Sequence, residues 1–378
     1  MTATNLPPGG MTVQRGKRDL FRISDPFLLL SAAILIAFGL ALIFSEGFSR
    51  GDLSSFRKQM VFFAIGLIPF GLFLRIHPRS WIHLSSYLYG LNLLMLSAVL
   101  VVGRRSHNAQ RWIEFHGFEF QPSEMAKLLI ILTLAAFFLN RRDQIHKFST
   151  FALSFLHVLV PLVLIMKQPS LGASLVLLAT WLSICLVAQV PLKFVLGSGG
   201  AIVLMLVMAI QFQWLKPYQL ERVEGLMHGN SQSNKYQALR AEIAFGSGGL
   251  GGTGYLKGEQ KRGGYIPEQN TDFIFTVMGE EGGLVGCTLV LAAFGFLFYR
   301  IWLVVVGTQD LYYRMIAAGI LGLLAFHTFV NLGMVLQLLP VVGQWLPFLS
   351  YGGTALWLCM ACIGLLLSVR SQEIPKMY

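Results

Sequence analysis

Residues 265–286 read YIPEQNTDFIFTVMGEEGGLVG. Pro267 closes a polar, glycine-rich run, and from Asp272 onward the chain is apolar for about 20 to 25 residues, a membrane thickness. Asp272 therefore stands at the threshold of a membrane helix, where an ionisable group needs a reason to be kept. Two readings compete. One is a carboxylate that complements the dipole at a helix N-terminus; the other is a reactive base facing a substrate cavity. Glu280 and Glu281 follow about two turns further in. At 100° per residue they stand about 80° and 180° around the axis from Asp272, and Glu280 lies about 12 Å along it. Neither can complete a two-carboxylate acid/base pair with Asp272. The two glutamates are expected to satisfy polar groups between helices, which leaves Asp272 as the sole carboxylate placed to act as a base.

The rest of the chain has the same apolar character. Of 378 residues, 55% are hydrophobic and only 12% charged, with a mean hydropathy of +0.64. Soluble domains carry about a quarter charged residues, so this composition predicts an all-α polytopic membrane protein. Ten runs of spanning length fall at about 26–45, 58–75, 82–102, 121–139, 150–166, 172–190, 192–211, 272–299, 313–339 and 345–369. The N-terminal tail holds Arg15, Lys17, Arg18 and Arg22 and lacks a small-residue cleavage site, so it reads as an uncleaved tail. On its side of the membrane lie Arg75 and Arg79, Arg141, Arg142 and Lys147, Lys193, Arg300 and Arg314, then Arg370 and Lys376. The positive-inside rule puts both termini in the cytoplasm. The domain plan is a basic tail at 1–25, one transmembrane domain at 26–370 with a large outer loop at about 212–271, and a short tail at 371–378. The formal charge of +11 is thus a topology signal and does not point to nucleic acid. Cys185, Cys287, Cys359 and Cys362 all fall in apolar runs, which argues against a disulfide framework or a metal site.

The opposite side breaks the rule. Arg104, Arg105 and Arg111 crowd one short loop and Lys167 sits in another. Either outer loops carry some charge by chance or these cations meet an anionic ligand. The long outer loop holds an amphipathic portion at 236–245, the run GSGGLGGTG at 246–254, and the basic residues Lys257, Lys261 and Arg262. It has neither Walker nor Rossmann context, so the glycines do not read as a nucleotide site. A flexible, re-entrant or surface-lying loop over a cavity suits them better.

Two further stretches carry polar groups into apolar surroundings. In QPSEMAKLLII (121–131), Glu124 and Lys127 share a helix face. They either neutralise one another as a structural pair or form the polar wall of a cavity, with Lys127 open to an anion. In 331–354, NLGMVLQLLPVVGQWLPFLSYGGT, Pro340, Gly343 and Pro347 interrupt the helical pattern. Asn331, Gln337, Gln344, Ser350 and Tyr351 add uncharged hydrogen-bonding groups there, a pattern of broken helices lining a cavity.

These stretches, with RWIEFHGFEFQPSEMAKL (111–128), KQPSLGASLVLL (167–178) and IPEQNTDFIFTVMGEEGGLVG (266–286), closely resemble the SEDS family of bacterial shape, elongation, division and sporulation proteins. YQLERV (218–223) and GEQKRGGYIPEQNTDFIF (258–275) resemble its RodA elongation branch more than its FtsW division branch. Ser170 stands where the family usually has an acidic residue. The resemblance implies a ten-helix enzyme of the bacterial inner membrane that polymerises lipid II into β-1,4 glycan at the outer face, releasing undecaprenyl diphosphate. It implies Asp272 as the catalytic base of an inverting displacement. Arg111, Glu124, Lys127, Lys167, Lys257, Gln269, Thr271 and Ser350 are the implied substrate contacts, and magnesium or manganese could assist the diphosphate. Implied partners are a class B penicillin-binding protein transpeptidase and other elongation-complex membrane proteins. A lipid II flippase and a non-enzymatic scaffold for a transpeptidase are the alternatives.

Overall fold

Proline and aspartate set the first helix. Pro26 supplies a helical φ at the first position, and the Asp25 carboxylate accepts the Leu28 N–H at 3.0 Å. Asp25 also pairs with Arg300 at 2.7 Å, which ties the start of this helix to a distant one. The computed structural model describes residues 25–373 apart from 107–108, 116–117, 169 and 200–231. The helices are α1 (Pro26–Arg50), α2 (Ser54–Arg75), α3 (Ser80–Val102), α4 (Pro122–Asn140), α5 (Phe148–Lys167), α6 (Leu171–Val187), α7 (Gln232–Gly248), α8 (Glu259–Arg262), α9 (Ile274–Gly307), α10 (Leu311–Val335) and α11 (Gly353–Glu373).

Among the described residues, eight helices are long and apolar enough to span a membrane: α1–α5 and α9–α11. The expected span at 172–190 is the shorter apolar helix α6. Of the expected span at 192–211, residues 192–199 are helical and the remainder lies outside the described residues, as do the tails at 1–24 and 374–378. Helices α4, α10 and α11 are mostly buried, whereas α2 and α3 turn Ile68, Leu94 and Val101 outward. That division suits a helix core inside a lipid-facing rim.

Three expectations need correction. The loop holding Arg104, Arg105 and Arg111 is folded: β1 (Arg104–Ser106), β2 (Ala109–Phe115) and β3 (Phe118–Phe120) form an antiparallel meander. Its signal is the alternation in WIEF and FEF on either side of His116 and Gly117. The last two spans are shorter than expected, because 336–352 is irregular, with Gln337, Gly343 and Phe348 at φ of 60°, 66° and 66°. The glycine run is also no loose cover. Helix α9 breaks at Gly283 (φ 60°, ψ −157°), and residues 249–254 supply the backbone partners the break displaces. The Leu284 and Val285 N–H groups donate to the carbonyls of Gly249 (3.0 Å) and Leu250 (3.2 Å). In return, the Thr253 and Gly254 N–H groups donate to Glu280 (2.9 Å) and Glu281 (3.1 Å). At Gly252, φ is 80° and a Cβ would lie 2.0 Å from the Glu281 carbonyl, so only glycine fits.

Candidate active site

The N-terminal part of α9 is built on this docking. Glu280 accepts the N–H groups of Gln260 (2.7 Å) and Lys261 (3.3 Å), capping the short helix α8. Glu281 pairs with the fully buried Lys261 and accepts the Ser45 hydroxyl from α1 at 2.7 Å. Both glutamates thus satisfy polar groups between elements, as expected. Arg50, at the end of α1, reaches Glu46 (2.9 Å), the Lys261 carbonyl and Gln269 Oε1 (3.2 Å). Gln269 passes the chain of bonds on to Thr276 Oγ1. Gln269 is therefore a buried structural link, not an open ligand group.

Helix α9 begins at Ile274 with Phe273 as its N-cap, and no side chain caps it. Asp272 lies one residue before that and does not cap the helix. Its backbone is held from several directions. The N–H groups of Thr271, Asp272 and Phe273 all converge on the Glu268 carbonyl, at 3.3, 3.0 and 3.4 Å. Asn331 Nδ2, from α10, donates to the Asp272 carbonyl at 2.8 Å and to the Gln344 carbonyl at 2.6 Å. The Ser350 hydroxyl donates to the Thr271 carbonyl at 2.5 Å while accepting the Leu346 N–H at 2.7 Å. The Tyr351 N–H donates to the Asn270 carbonyl at 2.8 Å. The irregular segment 336–352, together with Asn331, is thus a clamp on residues 270–272.

The Asp272 carboxylate itself is partly exposed and, among the described residues, joins no ion pair or hydrogen bond. Burial pushes its pKa up to about 7; the nearby Glu268 charge adds to the rise and Arg111 opposes it. Gly343 lies directly against it, since a Cβ there would sit 3.3 Å from Asp272 Oδ2. Arg111, on β2, donates from Nε to the Gln168 carbonyl at 2.9 Å. The meander thereby brings Arg111 toward the carboxylate.

The other expected contacts are placed differently. Lys127 is fully buried; its ammonium donates to both Glu124 oxygens at 2.8 Å and meets His327 Nε2 at 3.0 Å. Glu124 also accepts the Trp345 indole N–H at 3.1 Å, and that indole stacks on His327 with centroids 4.0 Å apart. The pair is closed, so of the two readings given to it this arrangement is the structural one. Lys167 and Lys257 are exposed and form no ion pair among the described residues. Thr271 turns its hydroxyl to the Glu268 carbonyl at 3.1 Å. His327, Glu268 and Arg50 were not singled out from the sequence. A lone histidine in an apolar helix was the available signal for His327.

A model of the family described as FTSW_RODA_SPOVE, cell cycle protein, matches residues 25–374. The chain is 33% identical over 351 residues to the peptidoglycan glycosyltransferase MrdB of Escherichia coli K12, covering 92% of this chain and 94% of that one. A solved chain described under "Structural coordination of polymerization and crosslinking by a peptidoglycan synthase complex" superposes with a TM-score of 0.80 at 31% identity. The superposition covers 93% of this chain and 99% of that one. The crystal structure of the Thermus thermophilus rod shape determining protein RodA gives a TM-score of 0.70 at 29% identity, covering 93% and 98%.

Proposed function

The chain belongs to the SEDS family of FtsW, RodA and SpoVE cell cycle proteins, multi-pass membrane peptidoglycan glycosyltransferases, and from that premise we propose that it polymerises lipid II into β-1,4 glycan at the outer face of the bacterial inner membrane during cell elongation. The likeness to RodA and to MrdB supports the elongation role. The observation that carries the chemistry is a carboxylate whose backbone is clamped at 270–272 while its side-chain oxygens stay uncommitted.

Asp272 accepts the proton of the acceptor sugar's 4-hydroxyl as that oxygen attacks the anomeric carbon of the growing chain. The carbon–oxygen bond to undecaprenyl diphosphate breaks, and its electron pair leaves with the diphosphate. An α-linked diphosphate becomes a β-linkage by inversion in one displacement, which asks for one base and no covalent nucleophile. A pKa near 7 suits a base that works at neutral pH. Arg111 is the cation assigned to the developing negative charge, with the exposed Lys167 and Lys257 as further candidates. Among the described residues no group of three or more His, Cys, Asp or Glu side chains is placed to hold a metal ion, so magnesium or manganese is assigned no ligands among them. The partner we propose is a class B penicillin-binding protein, because the superposed chain comes from a complex described as coordinating polymerization and crosslinking.

Purified protein given lipid II, with and without that transpeptidase, is the test. Glycan chains should form with wild type and be missing with Asp272→Asn at unchanged folding. Polymer from the Asp272→Asn protein would overturn the assignment of the base.

A further inference from the structure

Three amide oxygens close to this site are buried without a donor among the described residues: Gln168 Oε1, Asn331 Oδ1 and Gln344 Oε1. Their residues are 0%, 0% and 5% exposed. The orientation of each amide is set by its nitrogen. Gln168 Nε2 donates to the Leu96 carbonyl at 3.1 Å, Asn331 Nδ2 to the Asp272 and Gln344 carbonyls, and Gln344 Nε2 to the Gly343 carbonyl at 3.0 Å. Turning any of them over would set oxygen against oxygen. Most buried amides have both ends satisfied; here only the donor ends are.

The oxygens of Gln168 and Gln344 belong to one locality. Gln344 follows Gly343, which lies on Asp272 Oδ2, and its carboxamide rests on Gly172, where a Cβ would fall 2.0 Å from Nε2. Glycine at 172 thus makes the room that Gln344 occupies. Gln168 ends α5 just before the connection to α6, where Gly172 lies, and its carbonyl holds Arg111. The side of the site near Gly172 therefore presents carbonyl oxygens, and Arg111 presents the positive charge. Anionic oxygens are repelled by the first and attracted by the second, whereas neutral O–H and N–H groups fit the first.

Resting on the reading that this chain transfers sugars, we infer that Gln344 and Gln168 form a hydrogen-bond acceptor subsite beside Asp272 for the hydroxyl and acetamido donors of the bound sugar. The diphosphate lies toward Arg111. Asn331 is a positioning residue, since its nitrogen holds the Asp272 backbone.

The test is Gln344→Met, a change of similar volume that removes the acceptor, assayed with lipid II as the probe. The KM for lipid II should rise about tenfold with kcat changed less than about twofold. The melting temperature should hold or rise, because an unsatisfied buried oxygen has been removed. A fall in melting temperature with KM unchanged would show an oxygen satisfied inside the fold and overturn the subsite. Should the methionine variant fail to fold, Gln344→Asn keeps the amide but withdraws it by one methylene; an unchanged KM there is equally fatal. A wild-type protein that makes no polymer from lipid II would overturn the sugar-transfer reading and the subsite together. Polymer from wild type with Michaelis constants insensitive to residue 344 removes the subsite alone.

Discussion

Helices α4 and α9 each begin at a carboxylate set among apolar residues, and the fold treats the two carboxylates in opposite ways. At α4, Glu124 receives two bonds from Lys127 and one from Trp345, and Lys127 is held on its other side by His327. The Glu124 and Lys127 charges are each satisfied, so the ion pair stabilises helix packing and is not open to a ligand. At α9, the partners of Asp272 go to its backbone, through Glu268 and Asn331, while the carboxylate stays uncommitted. The lesson is that charge inside a membrane protein is reactive where the surroundings fix its position without satisfying it.

The largest expected effect tests the open half of this contrast. Asp272→Asn should lower polymerisation by about a thousandfold or more, the scale of losing a general base, with the melting curve little changed. The closed half predicts the reverse pattern. Lys127→Met leaves Glu124 buried and unpaired, and should cost about 3–5 kcal/mol of stability in a detergent melt. An unaltered melt with lost activity would mean that Lys127 acts on substrate, and the contrast would collapse.

Smaller effects sharpen the geometry. Gly343→Ala places a methyl 3.3 Å from Asp272 Oδ2 at φ +66°. It should reduce kcat about tenfold and stability by about 1 kcal/mol, read from turnover and melting together. The pH profile reports the electrostatics. Because burial raises the pKa of Asp272 to about 7, the deprotonated base predominates above that pH, and kcat/KM should fall as pH drops through it. Glu268 raises that pKa and Arg111 lowers it. Glu268→Gln should move the acid limb to lower pH, with rates at pH 6 rising about two- to threefold. A limb that moves to higher pH would contradict the assignment of Asp272 to it.

Much of the framework was legible from local pattern. Long apolar runs can do little but form membrane helices, since backbone groups in lipid must be satisfied within the segment. Asp272 was legible because an ionisable residue at such a boundary is conspicuous; the helical angles to Glu280 and Glu281 do not carry over, because Asp272 lies in the turn before α9. The break at Gly283 was not legible from the α9 sequence, since the carbonyls and amides that heal it belong to residues 249–254. His327 gave little signal because its partner Lys127 is 200 positions away. The meander was readable in the alternation around His116 and Gly117, but a basic loop pattern concealed it.

By itself the sequence determined the class of molecule and the approximate helices and marked Asp272 as a candidate, because hydrophobicity, periodicity and charge are properties of neighbouring residues. The tertiary structure alone decided which charges are closed and which are open. Whether Lys127 meets His327, or Asn331 holds Asp272 by its carbonyl, depends on contacts between residues 200 and 59 positions apart. Saturation of a buried polar group is a matter of three-dimensional neighbours, and no local pattern encodes it.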